Sequence, residues 1–212
     1  MTEQKYAAGL VRAINRLWLP VYKGIALQVA EHCTCAPGRI LEIGCFSGGT
    51  GIELLRIYGK SSLTVALGDE DLVKTFSTDW ADSLAGLDAR RVSTSHAAPG
   101  SLDLPDSSQD VVFCRGVFFF LEASGAVLRE AYRVLMPGGF AFLGGGFGSH
   151  TPDAVRAALA GESRVQNNAL GRKIYSHDEF QAVIAGAGLA SPTTLIQEGG
   201  LWALIRKEKS SR

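Results

Sequence analysis

The sequence predicts an α/β domain built on a doubly wound, mostly parallel sheet. Three observations predict it. First, Arg39 to Leu55 reads as strand, glycine turn and helix. The apolar run Ile40-Leu41-Glu42-Ile43 is followed by Gly44 to Gly51, and Ile52, Leu54 and Leu55 restart at helical spacing. Such a turn lays a ligand against bare backbone at a helix start. Second, short apolar runs alternate with helical patterns along the chain. Third, Thr193 to Ile196 and Leu201 to Ile205 flank Gln197-Glu198-Gly199-Gly200, a hairpin signal.

At 212 residues the chain is expected to form one main domain with an appended part. Residues 1–36 read as an N-terminal helical cap and residues 37–207 as the main domain. The 21 basic and 21 acidic side chains balance and are interspersed, so no nucleic-acid partner is expected. The start MTEQKYAAGL is polar, and no apolar run reaches membrane-spanning length. A cytoplasmic protein without membrane insertion is the expectation. Cys33, Cys35, Cys45 and Cys114 suit reduced thiols better than a disulfide framework or a zinc site.

Tyr6 to Leu19 predicts an amphipathic helix with Leu10, Ile14 and Leu17 inward and Arg12 and Arg16 on a solvated face. Pro20 breaks it, and a second helix runs from Val21 to about Glu31 with Tyr22, Ile25, Ala26 and Val29 on one side. Ala36-Pro37-Gly38 turns into the first strand. The first core helix stops at Gly59. Leu63 to Leu67 is the second strand, ending in Gly68-Asp69-Glu70-Asp71. Val73, Phe76, Trp80 and Leu84 then mark one helix closed by Gly86. Arg91 to Ser95 is a weak third strand, and Val111 to Cys114 a buried fourth. A helix from about Ser124 to Leu135 ends at Pro137, and glycines turn into strand five, Phe140 to Leu143. Gly144 to Gly148 read as a mobile hinge. Thr151 caps a short helix with Pro152 at its first position, stopping at Gly161. Glu162 to Lys173 reads as a polar loop. Ser176 and Glu179 form a capping box for a helix with Phe180, Val183, Ile184 and Ala187 inward.

The glycine turn excludes two common nucleotides. No window fits G-x-G-x-x-G, and the turn has no lysine of a P-loop. Instead Glu42 stands two residues before Gly44, and Gly48 four residues after it. This resembles motif I of the class I S-adenosylmethionine-dependent methyltransferases, with Phe46 at a usual glycine. Leu104-Pro105-Asp106-Ser107-Ser108-Gln109-Asp110-Val111-Val112 and Arg133-Val134-Leu135-Met136-Pro137-Gly138-Gly139 match two further segments of the family. Together they resemble the small-molecule group called type 11, after the ubiquinone/menaquinone methyltransferases, over about Ile40 to Lys207.

The resemblance implies a Rossmann-like methyltransferase fold, S-adenosylmethionine as cofactor and a small-molecule acceptor. It implies donor contacts from Glu42, Gly44, Cys45, Phe46 and Gly48. It places Asp69 on the ribose and Asp71 as the next helix's N-cap, with Glu70 beside them. All three acids also suit a helix N-terminus electrostatically. The family's adenine-binding acid is missing from His96-Ala97-Ala98-Pro99-Gly100, and His96 or a backbone carbonyl is the expected replacement contact to the adenine. Arg115 suits the donor's carboxylate or an acidic acceptor, or an ion pair with Glu122 or Asp103. The run Phe118-Phe119-Phe120 reads as core.

Methyl transfer from a sulfonium needs alignment and water exclusion, not a fixed catalytic residue. His150 and Tyr175 are the weak candidates for a base. No metal-ligand spacing is visible, so a metal-independent reaction is expected. The rival reading is a non-catalytic S-adenosylmethionine-binding module acting as partner or sensor. The acceptor is expected under residues 144–175, facing the N-terminal helices near Tyr22.

Overall fold

The computed structural model describes residues 7–209; Tyr6, the expected start of the first helix, lies outside them. Two helices, α1 (Ala8–Leu17) and α2 (Leu19–Ala30), precede the sheet. Then come β1 (Arg39–Ile43), α3 (Gly49–Ile57), β2 (Ser62–Leu67), α4 (Glu70–Asp79), the short α5 (Ala81–Leu84) and β3 (Val92–His96). After them run β4 (Gln109–Arg115), α6 (Ala126–Val134), β5 (Leu135–Gly146), α7 (Asp153–Ala169), α8 (His177–Gly186), β6 (Thr193–Ile196) and β7 (Gly200–Arg206).

The seven strands lie in the order β3-β2-β1-β4-β5-β7-β6. The first five are parallel, and β7 joins antiparallel to both β5 and β6. This is the mostly parallel, doubly wound sheet with a terminal hairpin that the sequence predicts. Alternation along the strands sends side chains to opposite faces. Val111, Phe113, Phe140 and Phe142 pack under α1, α2 and α3. Val112, Cys114, Ala141 and Leu143 pack under α6 and α8. The strand order reverses between β1 and β4, and ligands of such sheets bind at the carboxyl ends there.

The N-terminal helices are built into the first of these cores. Val11 and Ile14 of α1 and Trp18 just after it form a buried stripe, and Leu10 is exposed, so the apolar face is rotated from the expected one. Pro20 sits in the first turn of α2, where its missing N–H costs nothing. Gln28 of α2 is buried; its amide donates to Glu198 O at 3.0 Å and accepts from Ser149 N at 3.1 Å. Arg12 is not on a solvated face. Its Nε lies 2.8 Å from both carboxylate oxygens of Asp79, joining α1 to α4.

Five other expectations change. Pro137 does not simply end a helix, because α6 stops at Val134 and β5 starts at Leu135. The Pro-Gly-Gly turn becomes an irregularity within β5, where the register with β4 shifts. Gly144, Gly145 and Gly146 are no hinge. They pair with Trp202, Leu201 and Gly200 of β7, and a Cβ at Gly144 or Gly146 would run into a backbone carbonyl of Leu201 or Gly199. Thr151 does not cap α7; Pro152 holds the cap position, and the Thr151 hydroxyl donates to Phe147 O. The helix passes through Gly161 to Ala169, so residues 162–169 are helix rather than loop. Trp80 also splits the expected single helix into α4 and α5. The Ser176–Glu179 capping box forms as expected.

The other two family-like segments brace each other. Arg133 donates to the carbonyls of Leu102 and Leu104 and pairs with Glu130 and Asp106. Asp110 accepts from the backbone N–H groups of Gly38 and Arg39, at 3.0 and 2.7 Å, and so fixes the entry into β1.

Candidate active site

The site starts at Glu42. Near the end of β1 its side chain is buried, 1% exposed, and Oε2 accepts the N–H of Gly51 at 2.8 Å. Burial pushes its pKa up to about 7, against the opposing pull of the Gly51 N–H and the positive charge of Arg115. The carboxylate thus ties the strand to the start of α3. Gly44 and Gly48 have φ of 110° and 122°, open to glycine and strained for other residues. The space at three neighbouring glycines is taken by protein. A Cβ at Gly48 would meet the rings of Phe76 and Trp80, at Gly49 the ring of Tyr22, and at Gly51 the Glu42 carboxylate.

Side chains alternate about this turn, and a cavity lies on each side. The first, about 230 Å³, is bounded by Cys45 and Ser47 of the turn, Leu67 at the end of β2, Phe76 and Trp80, and Arg12 and Asn15 of α1. The Ser47 hydroxyl is buried there without a hydrogen-bond partner. The second, about 150 Å³, is lined by Phe46, Arg115, Phe119, Trp18 and Phe147, and by Ser163, Gln166, Asn167 and Arg172 from the segment after β5. Its wall includes Gly145 and Gly146 at the carboxyl end of β5.

Arg115 ends β4 and is 8% exposed. It pairs with neither Glu122 nor Asp103; its guanidinium lies over the Trp18 ring, 3.9 Å from the centroid. Its Nε has no hydrogen-bond partner. Burial lowers its pKa, and a hydrogen bond with Tyr22 and the charge of Glu42 work against that. Tyr22 is buried beside it, and burial raises its phenol pKa. Tyr22 packs on the turn but does not line the second cavity.

Asp69 is the N-cap of α4. Its Oδ1 accepts from Asp71 N at 2.8 Å and Leu72 N at 3.3 Å. Asp71 is therefore not the cap, as expected from the sequence, but a first-turn residue of α4. The reason is that only Asp69 has the extended backbone that turns a side chain back over the first N–H groups. Asp69 lies next to Leu67 and Gly68 at the strand tip but lines neither cavity. Glu70 is exposed and pairs with Lys74 at 3.3 Å. His96 is exposed, with Nε2 3.2 Å from Gly68 O. Gly44 sits under the Phe120 ring, which a Cβ there would approach to 3.1 Å. Phe46 is buried against Phe119, with centroids 5.0 Å apart. Of the three phenylalanines after β4, Phe118 is core and Phe119 lines the second cavity.

Neither candidate base lines either of these two cavities. His150 pairs with Glu31 at 2.6 Å, and the Tyr175 hydroxyl donates to Leu121 O at 3.0 Å. Among the described residues no group of three or more His, Cys, Asp or Glu side chains is placed to hold a metal ion. None of their helices is long and apolar enough to cross a membrane. All four cysteines are free thiols.

The polar run through Asn167, Asn168 and Arg172 is expected from the sequence as a loop that contacts the acceptor, but up to Ala169 it is a face of α7. Ser163, Gln166, Asn167 and Leu170 recur at helical spacing and all border the second cavity. The signal was present, but only Leu170 of the four is apolar, so no hydrophobic period showed it.

A sheet of this order, with its ligand edge at an acid-anchored glycine turn, is the Rossmann-like fold of the class I S-adenosylmethionine-dependent methyltransferases. The residues fit the S-adenosylmethionine donor of such folds, since the partnerless Ser47 hydroxyl is buried beside the turn at the switch point. Residues 41–143 match the family model described as a methyltransferase domain, type 11. The match runs from β1 through β5 and leaves α1, α2 and α7 outside it. The fold is similar to that of a candidate S-adenosyl-L-methionine-dependent methyltransferase of Methanococcus maripaludis, at 24% identity over 100% of this chain and 99% of that one, with a TM-score of 0.80. It is similar to a SAM-dependent methyltransferase of Aquifex aeolicus at 17% identity over 95% and 100% of the two chains, TM-score 0.60. It is also similar to geranyl diphosphate C-methyltransferase of Streptomyces coelicolor, in complex with Mg²⁺, geranyl diphosphate and S-adenosyl-L-homocysteine, at 13% identity over 85% and 74%, TM-score 0.59. No curated protein matches the sequence.

Proposed function

We propose that this protein transfers the methyl group of S-adenosylmethionine to a small-molecule acceptor without a metal ion. The observation that carries the reading is the pair of cavities flanking the turn, the first lined by Cys45 and Ser47 and the second by Phe46 between them in sequence. The first suits the donor, because it joins the turn to the tip of β2. The second suits the acceptor, because the segment after β5 covers it against Trp18 and Ile14 of the N-terminal helical part. Residues 1–36 and 144–175 would then enclose the acceptor around a central donor-binding domain.

When bound, the donor supplies an activated methyl on a sulfonium, so the protein has to align the acceptor and exclude water. Glu42 acts through the turn rather than on the ligand, by holding the N–H of Gly51. Trp18, Phe46, Phe119 and Phe147 wall the second cavity with apolar rings. The absence of His150 and Tyr175 from both cavities favours an acceptor that needs no base from them.

Calorimetric titration with S-adenosylhomocysteine and with NAD tests the donor assignment. Binding of the first and not the second is expected; binding of NAD alone would overturn it. Hydrogen exchange then tests the cover. An acceptor added to the donor-loaded protein should protect residues 153–175 beyond the donor alone, and unchanged protection there would move the acceptor elsewhere.

A further inference from the structure

The second cavity contains two cationic side chains and no anionic one. Arg115 enters from β4 and Arg172 from the turn after α7. None of the residues lining the cavity is an Asp or Glu, and among the described residues neither arginine makes an ion pair. Glu42 acts on Arg115 electrostatically but lies outside ion-pair distance. Arg115 is 8% exposed, and its Nε is left without a hydrogen-bond partner. The pKa of Arg172 is lowered by burial and by the charge of Arg115, so the two cations lie close enough for one to disfavour the charge of the other. Two cations in one small space are a standing cost until an anion joins them.

The other walls say what else the ligand carries. Trp18, Phe46, Phe119 and Phe147 present ring surface, and Ser163 and Asn167 add hydrogen-bonding groups from α7. The volume of about 150 Å³ is that of a site for one benzene-sized ring.

We infer that the acceptor is a small, flat, apolar molecule bearing a carboxylate, which Arg115 and Arg172 hold between them. The inference rests on the methyl-transfer reading above and specifies its substrate class. A guanidinium matches a carboxylate with paired N–H donors, which fixes orientation as well as affinity. The donor's own carboxylate is the weaker occupant. It is accompanied by an ammonium and a sulfonium, so the donor as a whole is cationic and gains less beside two arginines. The arginine pair therefore anchors the acceptor at one end and leaves its other end toward the turn, where the methyl group is delivered.

The test uses the full chain saturated with S-adenosylhomocysteine, with benzoate and benzamide as probes that differ in charge and little in shape. Calorimetry should show benzoate binding at millimolar concentration and benzamide binding at least tenfold more weakly. Arg172→Gln, at a half-buried turn position, should weaken benzoate at least tenfold and leave S-adenosylhomocysteine affinity unchanged within a factor of two. Arg115→Gln should weaken benzoate similarly, with circular dichroism confirming the fold. Equal binding of benzamide, or no benzoate binding to the loaded wild type, overturns the anionic-acceptor inference while leaving the donor assignment intact. A tenfold loss of S-adenosylhomocysteine affinity in Arg172→Gln, with benzoate displaced by the donor product, would instead assign the arginines to the donor and overturn it. Failure of S-adenosylhomocysteine to bind the wild type is the separate result that sinks the methyl-transfer reading itself.

Discussion

Replacing Glu42 by glutamine isolates what it costs to keep a carboxylate beneath the glycine turn. The side chain is 1% exposed and accepts the Gly51 N–H at 2.8 Å. Burial raises its pKa from the usual 4.5 to about 7 in the folded protein. In the unfolded chain it titrates near 4.5. A folded pKa above the unfolded one means that the fold binds the proton more tightly. The contribution of Glu42 to stability is thus complete below pH 4.5 and is lost as pH rises through about 7. Between 4.5 and about 7, at about 1.4 kcal/mol per pH unit, the loss comes to about 3 kcal/mol. Glutamine keeps an oxygen for the Gly51 N–H and never ionises. Glu42→Gln should therefore equal the wild type near pH 4.5 and exceed its stability by up to about 3 kcal/mol at pH 8.5. Urea unfolding of both proteins across this range measures the difference, and the titration of every other group cancels in it. A variant less stable than wild type at pH 8.5, with a gap that widens as pH rises, would refute the reasoning. It would mean that the turn N–H groups and Arg115 hold the carboxylate ionised despite burial.

Three further outcomes are expected. Asp69→Ala should cost about 1 kcal/mol by removing the α4 cap, whereas Asp71→Ala should change stability little; Asp69→Asn keeps the cap, so its effect on S-adenosylhomocysteine affinity tests the ribose assignment alone, and unchanged affinity would refute it. Gly144→Ala should destabilise by about 3 kcal/mol or more, because its Cβ would meet the β7 backbone; a thermal midpoint within a degree or so of wild type would restore the hinge reading. Turnover, measured by S-adenosylhomocysteine release once an acceptor is found, should survive EDTA; loss of turnover that magnesium or zinc restores would end the metal-free proposal.

Much of the fold was present in local pattern. The strand, turn and helix from Arg39 to Leu55, the capping box at Ser176 and the hairpin at Gln197 to Gly200 are each built by residues close in sequence. Their backbone preferences act over a few residues, so short windows carry them. The α7 boundary failed for a related reason. Gly161 weakens a helix locally, but nothing at that exposed position excludes helix, and the turn beyond holds Leu170 in the core.

The rest depended on partners distant in the chain. Gly144 to Gly146 look flexible until β7 lies beside them, where they allow two backbones to approach closely. Asp69 and Asp71 are equally good caps by composition, and the direction of the chain leaving β2 chose between them. Arg115 was offered Glu122 and Asp103 by proximity, yet folding set it on Trp18, from the turn between α1 and α2 almost a hundred residues earlier, and at the same cavity as Arg172. A charge's partners are decided by which surfaces the sheet brings together, and that information is absent from the sequence spacing of the charges themselves.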